Sequence, residues 1–427
     1  MPIIFYEKME NRVVGRDIEE SIRPFLKRDE IIIIRGPRQA GKTTLMHIIG
    51  RGIEYEKVFV DMDIPSNRAA ISESPLEYIR GIMKGERLAL FLDEIQRLDN
   101  AGEILKVIYD SYKGRVKIVA TGSSSLEIKS KVLGDLVGRA IVFDLFTFGF
   151  GEFLRVRDEK LHDIFYSKRR SLLRFIEKGK EAEAPAWSER LLENWKEYVV
   201  FGGYPEVIKT TVAGTKERLL ANIADLYIEK DIVSFFKIEN TREFRNFVKA
   251  LSMNAAQMLQ LSVLGSEAGL TYYKAGEFMN ILENTYVAER VYPYFSNSRT
   301  SIRKSPKLFF FDMGLRNAVL GNLSKYGNRD DAGRLAENFV FGELRRLGYN
   351  VRYWRTKSGA EMDFVLEIGN GLLPIEVKLG GSGSLGKSFY SFIERYNPDR
   401  AVVVTLKEFS MRQVGSTKVL SVPIFYF

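Results

Sequence analysis

The chain has 427 residues, a formal net charge of +9, two histidines and no cysteine. Disulfides, thiolate metal sites and a cysteine nucleophile are excluded, and with only His47 and His162 available the chemistry falls to carboxylates, lysine, arginine and hydroxyls. The positive excess is uneven: residues 1–150 hold 23 Lys and Arg against 22 Asp and Glu, the remainder 41 against 33, which reads either as a polyanionic partner for the later part of the chain or as the plain Lys and Arg richness of many thermally robust cytosolic proteins.

Length alone implies about three modules. The opening MPIIFYEKMENR has no basic region followed by a long apolar stretch, and no segment supplies the ~20 consecutive apolar residues that span a bilayer. The expectation is a cytoplasmic protein with no membrane partner. Over residues 31–145, apolar runs alternate with helical stretches: IIIIR, VFVDMD, LALFLDE, VKIVATG and AIVFDL. That alternation predicts a parallel sheet with helices on both faces.

The first run enters a glycine-rich turn made of Gly36, Pro37, Arg38, Gln39, Ala40, Gly41, Lys42 and Thr43, followed by Thr44. The spacing GxxxxGKT after a buried strand is that of a phosphate-binding loop, in which backbone N–H groups and a helix N-terminus face the anion. ATP is the expected ligand, with Lys42 on its β- and γ-phosphates and Thr43 on Mg²⁺. LALFLDE ends in Asp93, placed to bind Mg²⁺ through water, and Glu94, placed to polarise the attacking water. Thr121 and Ser123, at the end of VKIVATG, are candidates for the γ-phosphate or that water, although hydroxyls there are also ordinary turn chemistry. Arg139 reads either as an arginine finger reaching a neighbouring subunit, which would imply a homo-oligomer, or as a local salt bridge.

From 146 to 215 the pattern is helical and aromatic, with FGGYPEVI forming a turn between helices. Residues 255–264 and 272–283 read as short helices around GSEAGLT, with Thr271 as N-cap, and YVAERVYPYF and KLFFF as a following strand pair. This is a winged helix-turn-helix pattern whose wing carries Arg299, Arg303, Lys304 and Lys307, candidates for DNA contact or for an acidic protein surface.

The last hundred residues follow an α-β-β-β-α-β order. Glu337 lies on the helix, Asp363 on the second strand, and Glu376 and Lys378 on one face of the third. Two carboxylates and a lysine suit metal-assisted phosphodiester hydrolysis, with Asp363 and Glu376 as ligands to Mg²⁺. An outward-facing E-x-K on a solvated strand is the plainer alternative.

GPRQAGKT, FLDE, ATGSSS, LVGRA, GGYPEV and SPKLFFFDMGLR together resemble the AAA+ branch of P-loop ATPases, and within it a prokaryotic family with an additional C-terminal domain. Asp363 followed by Glu376-Val377-Lys378 resembles the PD-(D/E)xK nuclease superfamily, although Met362 stands where the proline of that name would be. The resemblance implies an α/β multidomain chain: an AAA+ parallel-sheet core over 1–145, a helical lid over 146–215, a winged helix over 216–325 and a nuclease-like domain over 326–427. It implies ATP hydrolysis coupled to a DNA-associated, Mg-dependent C-terminal domain, or else a nucleotide-controlled binding switch that does not cut. A sensor arginine in the lid is not identifiable.

Overall fold

The computed structural model describes residues 13–123, 132–233, 236, 238–295, 305–380 and 385–427. It divides into two compact units, Met1–Thr147 with Asn284–Tyr286, and Phe148–Glu283 with Val287–Phe427. Among the described residues no helix is long and apolar enough to cross a membrane.

The first unit is built on five parallel strands, β1 (Ile31–Arg35), β2 (Glu56–Asp61), β3 (Leu88–Asp93), β4 (Val116–Gly122) and β5 (Ala140–Asp144), in the order β2-β3-β4-β1-β5. The isoleucine run shows why both faces are covered. Ile31 and Ile33 join one core with Leu90, Leu92 and Ile118, while Ile32 and Ile34 join another with Phe91, Val119 and Leu45. A strand with side chains alternating into two cores needs an unbroken apolar run. Each isoleucine so buried contributes roughly 1.5–3 kcal/mol over an exposed one. Because the strands are parallel, the C-terminal ends of β1, β3 and β4 share one edge. There Gly36 follows β1 so closely beneath the end of β5 that a Cβ would fall 1.9 Å from the Leu145 carbonyl oxygen.

The second unit begins with the helices Phe150–Arg157, Glu159–Lys178 and Ser188–Phe201. After Phe201 the two glycines of GGYPEV allow a close approach to the segment around Asp312. Gly202 has φ +72, and a Cβ on it would meet the Asp312 carboxylate at 2.2 Å. That carboxylate accepts from the Gly203 N–H at 2.8 Å and caps the Met313–Leu320 helix through the Leu315 N–H at 2.9 Å. The GGYPEV and FFFDMGLR motifs thus meet in space, and the joint is a matter of packing.

Helices Thr241–Met253, Leu261–Glu267 and Tyr272–Asn284 follow, then an antiparallel pair, β6 (Ala288–Val291) and β7 (Lys307–Phe310). The sequence placed a helix over 255–264, but it begins at Leu261. Ala256 has φ +59, and the chain beyond it runs beside β7, with the Ala256 N–H donating to Leu308 O at 2.7 Å and the Leu259 N–H to Pro306 O at 2.7 Å. A short apolar run of that length does not separate helix from strand by periodicity.

The buried helix Ala332–Arg346 then packs against a six-stranded mixed sheet of order β12-β13-β11-β10-β9-β8. Its strands are β8 (Arg352–Arg355), β9 (Glu361–Ile368), β10 (Gly371–Val377), β11 (Arg400–Thr405), β12 (Ser410–Val414) and β13 (Thr417–Pro423), with the helix Lys387–Tyr396 between β10 and β11. The β12-β13 hairpin extends the expected order, and β13 runs parallel beside β11.

Candidate functional site

The loop between β1 and the Lys42–Arg51 helix opens onto the C-terminal edge of the parallel sheet. Gly41, the residue before the helix, takes φ +94, a backbone that glycine adopts freely. The Lys42 ammonium is buried and donates to the Gly36 and Pro37 carbonyls at 3.1 and 2.9 Å. Arg16, also buried, braces the loop from outside by donating to Ala40 O and Phe146 O, both at 2.8 Å.

Across the edge, Asp93 ends β3. It accepts from the Thr43 hydroxyl at 2.5 Å, from the Thr121 hydroxyl, and from the Glu94 N–H at 3.1 Å. Glu94 takes a left-handed backbone, φ +52. Its carboxylate accepts from the Ser123 hydroxyl at 2.8 Å and from the Gln96 amide, which also donates to Ser123 Oγ at 3.0 Å. Gln96 is missing from the sequence reading; the only hint was an amide two residues beyond an acidic pair. Arg38 and Thr44 are half-exposed and Gln39 is exposed at the loop tip.

The two acids are tuned in opposite directions. Burial pushes the Asp93 carboxyl up, with the Thr121 and Thr43 hydroxyls opposing. Burial would also raise Glu94, but Lys42, Ser123, Gln96 and Arg38 outweigh it and hold the group below the ordinary carboxylate value. The Thr43 hydroxyl in contact with the Asp93 carboxylate is the pair of hard oxygens that Mg²⁺ takes, so these residues fit the ion. Arg139 stands apart. It precedes β5, hence lies at the opposite edge of the sheet, and makes a two-pronged contact with Asp110 at 2.9 and 3.1 Å.

The carboxylates of the C-terminal region come together differently from the expectation. Lys307, read in the sequence as a wing cation, lies in β7 and is only 3 % exposed. Its ammonium donates to Glu337 at 2.8 Å and lies 2.6 Å from Glu361 and 3.7 Å from Asp363. The nucleic-acid assignment of Lys307 is corrected on that ground: the side chain points into the fold. Arg299, Arg303 and Lys304 lie outside the described residues. Glu361, two positions before Asp363 on β9, shares its face by strand alternation, the one sequence signal that marks it.

Asp363 has one oxygen bonded to the Val377 N–H at 2.8 Å and the other toward Lys307. Glu376 has one oxygen 3.9 Å from Lys378 and the other buried without a hydrogen-bond partner. Burial raises the carboxyls of Glu337, Asp363 and Glu376, with Lys307 opposing the shift at the first two and Lys378 at the third. Burial opposes the charge on Lys307, yet Glu337, Asp363 and Glu361 hold its pKa above the ordinary lysine value. Among the described residues no group of three or more acidic or histidine side chains is arranged to hold a metal ion. Each acid of the expected Mg²⁺ pair has a protein cation beside it, Asp363 the Lys307 ammonium at 3.7 Å and Glu376 the Lys378 ammonium at 3.9 Å.

Residues 28–154 match the family described as AAA domain. Residues 192–326 and 332–425 match two families described as domains of unknown function, DUF8612 and DUF4143. The chain is similar to an uncharacterized protein of Methanocaldococcus jannaschii, 28% identical over 83% of this chain and 75% of that one. It is also similar to an uncharacterized protein of Mycobacterium tuberculosis, 22% identical over 91% and 79%. Among solved structures it is similar to the Thermotoga maritima RuvB Holliday junction branch migration motor, with TM-score 0.31, 16% identity and coverage of 65% and 90%. The Aeropyrum pernix ORC2 protein in its ADP form gives TM-score 0.34, 12% identity and coverage of 72% and 93%. Residues 28–154 are thus similar to an AAA domain, and the chain continues through two further regions similar to families described as domains of unknown function.

Proposed function

We propose that this chain is an ATP-hydrolysing switch whose AAA domain sets the state of a DNA-associated remainder. The observation that carries the proposal is the junction at Asp93. Two threonine hydroxyls, one from the P-loop helix and one from β4, converge on its carboxylate, while Glu94 is held beside it in its charged form by Ser123 and Gln96. In that arrangement Glu94 accepts the proton of the attacking water, Lys42 offsets charge on the phosphates, and Thr43 with Asp93 would hold Mg²⁺. An ion held there would supply positive charge against the phosphates.

The test is direct. Lys42→Ala is expected to abolish ATP binding, and Glu94→Gln to bind ATP normally while losing at least ~100-fold in turnover, the usual scale for a lost general base. Wild-type turnover in the Glu94 variant would sink its assigned role. Association with DNA is supported by the basic excess beyond residue 150 and by the helix pair Leu261–Glu267 and Tyr272–Asn284 with its β6-β7 hairpin. It requires affinity for duplex that falls steeply with salt; a flat profile leaves the helix pair a protein-packing module.

For the C-terminal region two readings compete, Mg-dependent cleavage through Asp363 and Glu376, and holding without cutting. The position of Lys307 among the acids favours the second. Cleavage by the wild type with Mg²⁺ or Mn²⁺ that Asp363→Ala and Glu376→Ala remove would reverse that preference.

A further inference from the structure

The acidic centre of the C-terminal sheet carries a cation of its own. Lys307 comes from β7 of the hairpin, whereas the acids come from the Ala332–Arg346 helix and from β9. The approach is fixed by neighbouring bonds. Asn338, next to Glu337, clamps β7 by accepting from the Phe310 N–H and donating to the Phe310 carbonyl, both at 2.8 Å. The Tyr353 hydroxyl donates to Ser305 O at 2.5 Å, two residues before Lys307.

Among the described residues, access does not set the cation at this centre. Lys307 and Glu361 border a cavity of about 460 Å³ whose other walls include Gln257, Gln260 and Glu267, wide enough to admit a hydrated ion. The obstacle is charge and position: the ammonium stands within 3.7 Å of three carboxylates, and its tether strand is clamped on both sides.

We propose that Lys307 is the permanent cation of this centre, and that the carboxylate cluster is a socket locking the β6-β7 hairpin to the C-terminal sheet in place of a divalent-ion site. The lock links hairpin position to carboxylate availability: while β7 is docked, one oxygen each of Glu337, Glu361 and Asp363 faces Lys307, and the second oxygens of Glu361 and Asp363 face Arg355 and the Val377 N–H within the sheet. It is independent of the nucleotide proposal, since it draws on no residue assigned to the nucleotide.

The full chain tests this without nucleotide, by Mn²⁺ titration read as the loss of free-ion electron paramagnetic resonance signal, and by thermal unfolding. Wild type is expected to bind no Mn²⁺ that Asp363→Asn removes. Lys307→Met is expected to lower Tm by on the order of 5 °C, because it strands buried carboxylates. Adding Glu337→Gln to Lys307→Met should restore part of that loss, since one stranded acid is then gone. Asp363-dependent Mn²⁺ binding in the wild type overturns the proposal, as does an unchanged Tm in Lys307→Met or simple addition of the two losses. Should Lys307→Met fail to fold, Lys307→Arg keeps the charge: folding near the wild-type Tm upholds the lock, and equal failure overturns it.

Discussion

In the proposed hydrolysis Glu94 acts only while it is charged and correctly aimed, and the Gln96 amide contacts it from the side of Ser123. That amide donates to both Glu94 and Ser123, while its own carbonyl oxygen is buried without a hydrogen-bond partner. The amide's orientation is set by Glu94 and Ser123. Gln96→Ala should therefore lower kcat for ATP by about ten-fold and leave KM within about two-fold, the signature of a lost positioning contact in the transition state. A raised KM with unchanged kcat would instead make Gln96 part of nucleotide binding. None of this was visible along the chain, because Ser123 lies 27 positions from Gln96 and only the parallel register of β3 and β4 brings the strand ends together.

At the level of elements, legibility followed the range of the forces. β1 and the glycine turn before the Lys42–Arg51 helix stand where the sequence puts them, because a two-sided buried strand and a glycine turn are local signals, each written in fewer than ten residues. The Tyr272–Asn284 helix and its Thr271 cap belong to the same class: the hydroxyl accepts from the Lys274 N–H at 3.3 Å. The 256–259 segment and Lys307 were misread because their partners are distant. An apolar run beside an unseen strand looks helical, and a lysine beside unseen acids looks exposed. GGYPEV was legible as a motif and opaque as to purpose until Asp312 appeared against it. That contact yields a prediction: Gly202→Ala must accommodate a Cβ at φ +72 and 2.2 Å from the Asp312 carboxylate, and should cost about 2–4 kcal/mol. Urea denaturation monitored by circular dichroism measures the cost, while Gly214→Ala, where a Cβ meets nothing within 4 Å, should change stability by far less.

The whole molecule consists of two compact units with separate cores, and their stabilities answer to different chemistry. The unit with the five parallel strands contains every residue assigned to nucleotide; the other contains the Lys307 centre. A ligand that binds one folded unit raises the unfolding free energy of that unit alone, by RT ln(1 + [L]/Kd), or about 2.7 kcal/mol at a hundred times Kd. For a unit of this size, that corresponds to roughly 5–10 °C. Scanning calorimetry of the full chain should accordingly resolve two transitions, of which Mg·ADP raises one. The shift should vanish in Lys42→Ala, whose P-loop lacks the ammonium, and Lys307→Met should depress the other transition while leaving the Mg·ADP shift intact. A single transition moved by both perturbations would mean that the units unfold as one cooperative body, so that nucleotide binding stabilises the acidic centre directly; two transitions that respond separately confine the nucleotide's influence to changes of state short of unfolding.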